Sequence, residues 1–259
     1  MTAERLIEKD RVLSQLIHAD SKEGKSTLTS TAPVPHLVLD AEGSWKFIDQ
    51  MGFKSGKPLR KINWDPLRED MPRWSDTWDV CRVHVADWRT LDAVRQHLNQ
   101  FEFDFVSLTL DSVTEAQRRC KATIRGTGQM QIQQWGQLLD QMDELIRGFR
   151  DLMFLPNTLR VVTFVAETVM KDGKWRPFMQ GQIRDTMPYW VDICGYLFTE
   201  MRADGELQTK VKKLLVGAGI NPAYIAGERV QGRLPDIIED PDISAMLAAV
   251  YPNEKERSA

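Results

Sequence analysis

The sequence predicts an α/β protein with a mostly parallel central sheet flanked by helices and a C-terminal antiparallel hairpin. Short apolar runs recur along the chain, and helix-like patterns separate several of them, as in parallel strands joined by helical crossovers. The runs are residues 12–18, 36–39, 80–85, 103–110, 160–166 and 191–198. We expect the 259 residues to form a single domain, with residues 1–10 as an N-terminal extension and about 241–259 as a C-terminal tail.

The remaining elements follow from local patterns. Residues 91–98 and 138–149 carry apolar side chains at helical spacing. Residues 196–202 and 207–216 flank a turn at 203–206 that contains Asp-Gly, a pair that favours tight turns and therefore indicates an antiparallel hairpin. Residues 243–250 form a short apolar segment that predicts a packing helix.

Composition excludes several classes of protein. The 34 Lys and Arg residues nearly balance the 37 Asp and Glu residues, which excludes a wholly basic nucleic-acid binder but leaves room for a local basic patch. The three cysteines form no CxxC pair, so the sequence suggests neither a disulfide framework nor a cysteine zinc site. No window approaches the roughly 20 apolar residues of a membrane span. We therefore expect a cytoplasmic protein with no membrane partner.

The segment after the first apolar run has the pattern of a phosphate-binding loop. Such a loop needs a preceding strand, exposed backbone N–H groups, a lysine for the phosphates and a hydroxyl for Mg²⁺. Ala19 takes the position of the first glycine in GxxxxGK[ST], and a chance Gly-Lys-Ser in a polar turn is the alternative explanation. The predicted nucleotide-binding residues are Asp20, Ser21, Lys22, Glu23, Gly24, Lys25, Ser26 and Thr27.

Two later apolar runs end in carboxylates. Residues 36–39 lead into Asp40, Glu42 and Gly43, and residues 103–110 lead into Asp111. Ligands of open α/β sheets bind beyond the carboxyl ends of the strands, so these side chains are placed to orient water or to organise Mg²⁺. Taken alone, the first of these acidic segments fits a solvated turn better than a catalytic one.

In this order, the segments DSKEGKST, LVLDAEG and LTLDS, followed by RVVTFVAET, resemble the ATPase core of RecA-type recombinases. The short length, the loop and the later segment GERVQGRLPDII are similar to compact phage-encoded RecA-like ATPases of single-strand annealing and recombination. The resemblance covers about residues 10–240. It implies a RecA-like P-loop NTPase fold that uses ATP and Mg²⁺.

The resemblance also implies individual roles. Lys25 would bind phosphate and act with Glu42 in catalysis, Glu42 would activate water, and Ser26 and Asp111 would hold Mg²⁺. It further implies a homo-oligomer, ring or filament, in which a cation from the neighbouring subunit reaches the nucleotide. The candidates for that trans-acting cation are Lys174, Arg176, Arg184 and Arg229.

Two basic segments are candidates for contact with single-stranded DNA. The first contains Arg118, Arg119, Lys121 and Arg125, and its glycines predict a mobile loop before residue 138. The second follows the run 160–166 and contains Lys171, Lys174 and Arg176. In the resemblance these segments take the places of the two DNA-binding loops. Solvated loops, or contacts with a neighbouring subunit, are the alternatives.

The functional hypothesis is a DNA-dependent ATPase that promotes strand annealing or recombination, with a single-strand-binding protein as a further partner. The alternative is a nucleotide-dependent assembly protein with little or no turnover. Glu42 favours the first, because a protein that only binds nucleotide needs no carboxylate to position water.

Overall fold

Eleven strands form one mostly parallel sheet in the computed structural model, which describes residues 11–50, 58–204 and 207–252. Parallel pairing dominates the centre of the sheet, and the antiparallel pairs are β6–β7, β8–β9, β8–β10 and β9–β11. The strands are β1 (Leu13–Ala19), β2 (His36–Asp40), β3 (Lys61–Asn63), β4 (Val80–His84), β5 (Ser107–Asp111), β6 (Val161–Lys171), β7 (Lys174–Pro177), β8 (Ile193–Asp204), β9 (Leu207–Leu215), β10 (Gly227–Glu228) and β11 (Ile237–Glu239).

Helices cover both faces of this sheet. Apolar side chains of α2, α3 and α4 join the larger core cluster, and those of α1 and α6 join the second cluster with β1, β8 and β9. The α-helices are α1 (Lys25–Thr29), α2 (Trp88–Gln100), α3 (Val113–Arg125), α4 (Ile132–Asp151), α5 (Ile183–Thr186) and α6 (Ile243–Val250). The predicted α/β class, the mostly parallel sheet and the C-terminal hairpin are confirmed.

The strand order positions the functional residues. The order along the sheet is β11–β9–β8–β1–β6–β5–β2–β4–β3, so β6 lies between β1 and β5. The carboxyl ends of β1, β6, β5 and β2 therefore meet at one edge, with Ala19 paired to Glu167 and Asp40 paired to Asp111. This edge brings the phosphate loop and both acidic strand ends together.

Two expectations about local structure were wrong. The strand predicted over residues 103–110 begins only at Ser107, because Phe103 and Phe105 pack their rings into the core from the preceding extended segment. The first basic segment, predicted to be a mobile loop, forms α3 and the start of α4, and Gly136 lies inside α4.

The reason for the second error is the strength of the helical signals in that segment. The Ser112 hydroxyl caps α3 by accepting the backbone N–H of Glu115 at 3.2 Å. Ala116 and Cys120, one turn apart, are fully buried. The helix ends at Gly126, whose φ of 58° lies in the left-handed region. A basic surface and an apolar face thus share one helix.

The predicted N-terminal extension, residues 1–10, lies outside the described residues, as do the hairpin tip at 205–206 and residues 253–259. Within the described part of the chain, none of the helices combines the length and the apolar character that crossing a bilayer requires.

Candidate functional site

The phosphate loop runs from the end of β1 into the start of α1. Gly24 has φ 87°, a conformation that a side chain would strain, and its carbonyl oxygen accepts the N–H of Leu28 at 2.9 Å. The loop therefore turns directly into the helix that begins at Lys25. Asp20, Ser21, Lys22 and Thr27 are exposed around this turn, whereas Ser26 is half-buried.

The Lys25 ammonium is a buried cation without a carboxylate partner among the described residues. Its side chain bends back to donate to the carbonyl oxygens of Ala19 (3.1 Å) and Asp20 (2.9 Å), and the residue is only 8% exposed. In the part of the chain that the structure describes, these two oxygens are its hydrogen-bond partners. A buried charge without a counter-ion is costly, so the loop fits an anion such as a phosphate group.

Asp111 lies beside Ser26 and is buried. One carboxylate oxygen, Oδ2, accepts from the hydroxyls of Ser26 (2.7 Å) and Ser44 (3.1 Å) and from the Trp45 indole N–H (3.0 Å). Burial raises the pKa of Asp111 to about 6, and the negative charge of Glu42 adds to the shift, while the Ser26 hydrogen bond opposes it. Neutral donors thus hold this carboxylate, and a cation beside it would favour its ionised form.

The turn after β2 separates the roles of Asp40 and Glu42. Asp40 is fully buried; its carboxylate pairs with Arg82 at 2.7 Å and accepts the backbone N–H groups of Gly43 (2.7 Å), Ser44 (3.1 Å) and Trp45 (3.3 Å). Glu42 is exposed, and its carboxylate accepts the hydroxyl of Ser112. Asp40 therefore shapes the turn, and Glu42 is the carboxylate that remains available to water.

Three residues of this site escaped the sequence analysis. Ser44 and Trp45 fix the orientation of the Asp111 carboxylate, and Arg82, which comes from β4, neutralises Asp40. Ser44 and Trp45 directly follow the Asp40–Gly43 segment, so their position in the sequence could have suggested them. Nothing local marks Arg82, because its contact depends on the pairing of β2 with β4.

These residues fit ATP with Mg²⁺. The Lys25 ammonium suits the β- and γ-phosphates, and the adjacent oxygens of Ser26 and Asp111 are the hard ligands that Mg²⁺ prefers. Most of the coordination sphere of Mg²⁺ in such sites comes from water and phosphate oxygens, so two protein ligands suffice.

A second lysine reaches the same loop from the hairpin. The Lys212 ammonium on β9 donates to the backbone oxygen of Glu23 (2.7 Å), to the Glu23 carboxylate (3.0 Å) and to the Thr199 hydroxyl. The Thr199 hydroxyl donates to that carboxylate at 2.5 Å. Burial opposes ionisation of Glu23, but these bonds from Thr199 and Lys212 outweigh it and hold the pKa of Glu23 below its usual value. Glu23 therefore ties the loop to the hairpin.

The first basic segment divides into internal and outward-facing residues. Arg119 donates to the carbonyl oxygens of Ala41 (2.8 Å) and Ala86 (2.6 Å), which supports the turn that carries Glu42. Arg118 pairs with Glu115 (3.2 Å) and Glu167 (2.9 Å).

Lys121 and Arg125 line a groove together with Arg118. Their side chains lie beside Phe178 and Gln180, which follow β7, in a cavity of about 210 Å³. The Lys121 ammonium lies 4.6 Å from the centre of the Trp135 ring. We define the basic groove as Arg118, Lys121, Arg125, Trp135, Phe178 and Gln180.

The second basic segment also divides in two. Lys171 and Lys174 are exposed at the tip of the β6–β7 hairpin. Arg176 and Arg184 both pair with Asp185, at 2.9 Å and 3.0 Å. Arg229 donates to the backbone oxygen of Tyr189 and, like Arg176 and Arg184, lines a cavity of about 560 Å³.

Comparisons with known proteins relate the chain to a family of protein domains. A family model described as an AAA domain matches residues 12–230. No curated protein matches the chain. Among solved structures, one match is described as a prototypical ATPase from the type III secretion system of pathogenic bacteria. It shares 16% identity at a TM-score of 0.45, covering 71% of this chain and 52% of that one, so the chain spans about half its length.

Proposed function

Because this chain belongs to the AAA domain family, we propose that it binds ATP with Mg²⁺ and hydrolyses it at the edge formed by β1, β5 and β2. The observation that carries this proposal is the buried Lys25 ammonium, which has only backbone oxygens as partners among the described residues and lies in the loop that also presents Ser26 to Asp111. An anion with several phosphate groups would supply the missing charge.

Each residue then has a distinct task. Lys25 compensates charge on the β- and γ-phosphates, and Ser26 and Asp111 hold Mg²⁺, which when bound neutralises developing charge on the phosphate oxygens. Glu42 orients the attacking water, because its carboxylate is exposed beside Asp111 and accepts only the Ser112 hydroxyl among the described side chains. Arg119 stabilises this turn by donating a hydrogen bond to the carbonyl oxygen of Ala41.

The test of this proposal is ATP binding and turnover by Lys25→Met. We expect nucleotide affinity and hydrolysis to be abolished, since a neutral side chain cannot replace the charge beside the phosphates. Lys210→Met is the control, because Lys210 is an exposed lysine on β9 and lies outside the loop. Unchanged affinity in Lys25→Met, or equal effects in both variants, would contradict a phosphate-binding role for Lys25.

We further propose that the basic groove binds single-stranded DNA, in support of strand annealing or recombination. Cations beside aromatic rings can track a phosphate backbone and stack bases. Arg118 lies 5.7 Å from the Phe178 ring centre and Lys121 lies 4.6 Å from that of Trp135. Helix α3 supplies the cations and the chain after β7 supplies Phe178, whereas the predicted basic residues Lys171, Lys174 and Arg176 do not line this groove. Arg119 is left out because its guanidinium is used internally.

The double variant Lys121→Ala/Arg125→Ala tests this surface. Removing each cation that touches a phosphate should reduce the slope of log affinity against log salt by about 0.7, so the slope should flatten by about 1.4 for single strands of any sequence. Arg68→Ala/Arg73→Ala removes two exposed arginines of the β3–β4 connection, which do not line the groove, and should leave the slope unchanged. An unchanged slope in the folded double variant would contradict DNA binding at this surface. ATP turnover with and without DNA then separates a DNA-dependent ATPase from a protein that uses nucleotide only for assembly.

A further inference from the structure

A cavity of about 560 Å³ lies among β7, α5, the start of β8 and β10, and its volume is within the usual range for small-molecule sites. Its described lining residues include none of the phosphate loop and none of the basic groove. The cavity is therefore separate from both sites proposed above. Its charged lining residues are Arg176, Arg184, Asp185, Asp192, Glu228 and Arg229.

Three guanidinium groups gather beside α5 and the turn that follows it. Arg176 and Arg184 donate to the same carboxylate, that of Asp185, at 2.9 Å and 3.0 Å. The Arg229 guanidinium donates to the carbonyl oxygen of Tyr189, in the 3-10 turn after α5. One carboxylate thus serves three guanidinium groups, and two positive charges remain without a counter-ion in the part of the chain that the structure describes.

The other two carboxylates of the cavity accept hydrogen bonds from neutral donors. Asp192 accepts the backbone N–H (2.8 Å) and the hydroxyl (2.7 Å) of Ser14, and Glu228 accepts the backbone N–H of Gly232 (3.0 Å). Within the described ranges, neither forms an ion pair with the three arginines that share the cavity. The cavity therefore presents excess positive charge at one place and excess negative charge at another.

Each of these two places also holds a buried atom that lacks a hydrogen-bond partner among the described residues. The atoms are Nε of Arg176, which is a donor, and Oε2 of Glu228, which is an acceptor. A buried polar group without a partner costs free energy. A ligand that brings an acceptor to the first place and a donor to the second would remove both costs.

The rest of the lining is apolar and held in place before any ligand arrives. Val191, Cys194 and Ile225 contribute to it. Burial raises the pKa of the Cys194 thiol to about 12, so the thiol is uncharged. The backbone N–H of Ile225 donates to Trp175 at 2.9 Å, and its carbonyl oxygen lies 2.7 Å from the imidazole of His18. Walls ordered in advance lose little conformational entropy on binding.

From these observations we propose that the cavity binds a short zwitterionic peptide, with its carboxylate beside the three arginines and its ammonium beside Glu228 and Asp192. Guanidinium groups bind carboxylates through paired, charge-assisted hydrogen bonds. The peptide N–H and C=O groups supply the donor and the acceptor that the two unpartnered atoms need, and small apolar side chains suit the remaining walls. A polyanion fits less well, because the two unpaired carboxylates would repel it.

Calorimetric titration with trialanine and its two end-blocked forms, in the absence of nucleotide, tests this proposal. We expect a Kd of about 0.1–1 mM for trialanine, given its size. N-acetyl-trialanine lacks the ammonium and trialanine amide lacks the carboxylate. Each should bind about 10- to 100-fold more weakly, since each loses hydrogen bonds between charged groups.

Two variants assign the two ends of the peptide. Glu228→Gln keeps an acceptor for the Gly232 N–H but loses the charge, so it should bind trialanine and N-acetyl-trialanine with affinities within about threefold of each other. Arg184→Gln should in the same way lose the preference for the free carboxylate over the amide. Glu102→Gln is the control, because Glu102 is an exposed carboxylate that does not line the cavity.

Three outcomes would overturn the proposal. They are the absence of trialanine binding at millimolar concentrations, equal affinities of the parent for all three peptides, and parental discrimination in folded Glu228→Gln and Arg184→Gln. Binding of inorganic phosphate without binding of trialanine would indicate an anion site instead. Because nucleotide is omitted, none of these results depends on the proposed ATP site, which the Lys25→Met experiment tests separately.

Discussion

At the scale of single residues, three carboxylates at one edge of the sheet have different environments and therefore different chemistry. Asp40 is neutralised by Arg82, and Asp111 is buried under three hydrogen-bond donors. Glu42 alone of the three is exposed. In the proposed function, environment rather than residue type gives Asp40 a structural role, Asp111 a role in metal binding and Glu42 a role in orienting water.

The assignment of Glu42 predicts the behaviour of Glu42→Gln. The amide keeps the shape of the side chain and can still accept the Ser112 hydroxyl, but it lacks the basic oxygen that orients water. We expect nucleotide affinity to remain and hydrolysis to fall by about 10²- to 10⁴-fold, measured by phosphate release under saturating ATP. Parental turnover in this variant would mean that another group positions the water.

Two buried histidines predict acid sensitivity. Burial lowers the pKa of His36 to about 3 and that of His18 to about 4, so both are neutral in the folded protein. Because unfolded histidine has a pKa near 6.5, the unfolded state binds more protons below that pH. The stability that they contribute is complete above about pH 6.5 and is lost progressively as the pH falls, by about 2 kcal/mol for each imidazole at pH 5.

His36→Gln tests this sensitivity, because Gln can still bond the Thr109 hydroxyl that His36 contacts at 2.8 Å. The free energy of unfolding, measured with urea from pH 7 to pH 5, should fall less steeply in the variant than in the parent. His84→Gln changes an exposed histidine and should keep the parental slope. Equal slopes in the parent and His36→Gln would contradict the neutral assignment.

At the scale of elements, two connections join the edge that carries the proposed ATP site to the rest of the fold. Helix α3 begins directly after Ser112 and returns Arg119 to the turn after β2. The β8–β9 hairpin reaches the phosphate loop through Lys212 and Thr199. Lys212 and Thr199 of the hairpin thus contact the phosphate loop, and Arg119 of α3 contacts the turn that carries Glu42.

The hairpin contact predicts that Lys212→Met weakens nucleotide binding. Without Lys212, the Glu23 carboxylate stands beside the phosphates with less of its charge compensated, and like charges repel. We expect ATP affinity to fall about 3- to 30-fold, since hydrogen bonds to charged groups contribute about 1.5–3 kcal/mol, of which the exposed side chain realises a part. Lys213→Met is the control, because Lys213 pairs instead with Glu200 and Glu239. Equal affinities in the parent and Lys212→Met would show that the contact is only structural.

At the scale of the whole molecule, the two proposed sites lie at separate places. The proposed nucleotide site lies at the carboxyl ends of β1, β5 and β2, and the basic groove lies along α3. The ion pair between Arg118 in the groove and Glu167, which pairs with Ala19 in the sheet, connects the two. Among the proposed trans-acting residues, Arg176 and Arg184 share Asp185, whereas Lys174 is exposed at a hairpin tip.

This arrangement predicts that Lys174 acts on the nucleotide of a neighbouring copy. We expect sedimentation to show oligomers when ATP, Mg²⁺ and single-stranded DNA are present. Lys174→Ala should assemble but hydrolyse ATP at least about tenfold more slowly, since trans-acting cations stabilise transition-state charge. Mixing it with Glu42→Gln should restore turnover, because some interfaces then combine an intact Glu42 with an intact Lys174. A strictly monomeric protein under these conditions would refute the prediction, and Lys171→Ala is the control.

The sequence by itself predicted the phosphate loop, the two acidic strand ends and seven of the strands, which are β1, β2, β4, β5, β6, β8 and β9. These follow from local signals, because apolar runs, Gly-Lys-Ser and Asp-Gly act through neighbouring residues. Only the tertiary structure decided that Arg82 neutralises Asp40, that Arg119 points inward and that Lys212 reaches the loop. In the structure, most of the segment that we predicted to be a basic loop forms the helix α3. Each of these depends on contacts between residues far apart in the chain, and long-range pairing leaves no periodicity in the sequence that could predict it.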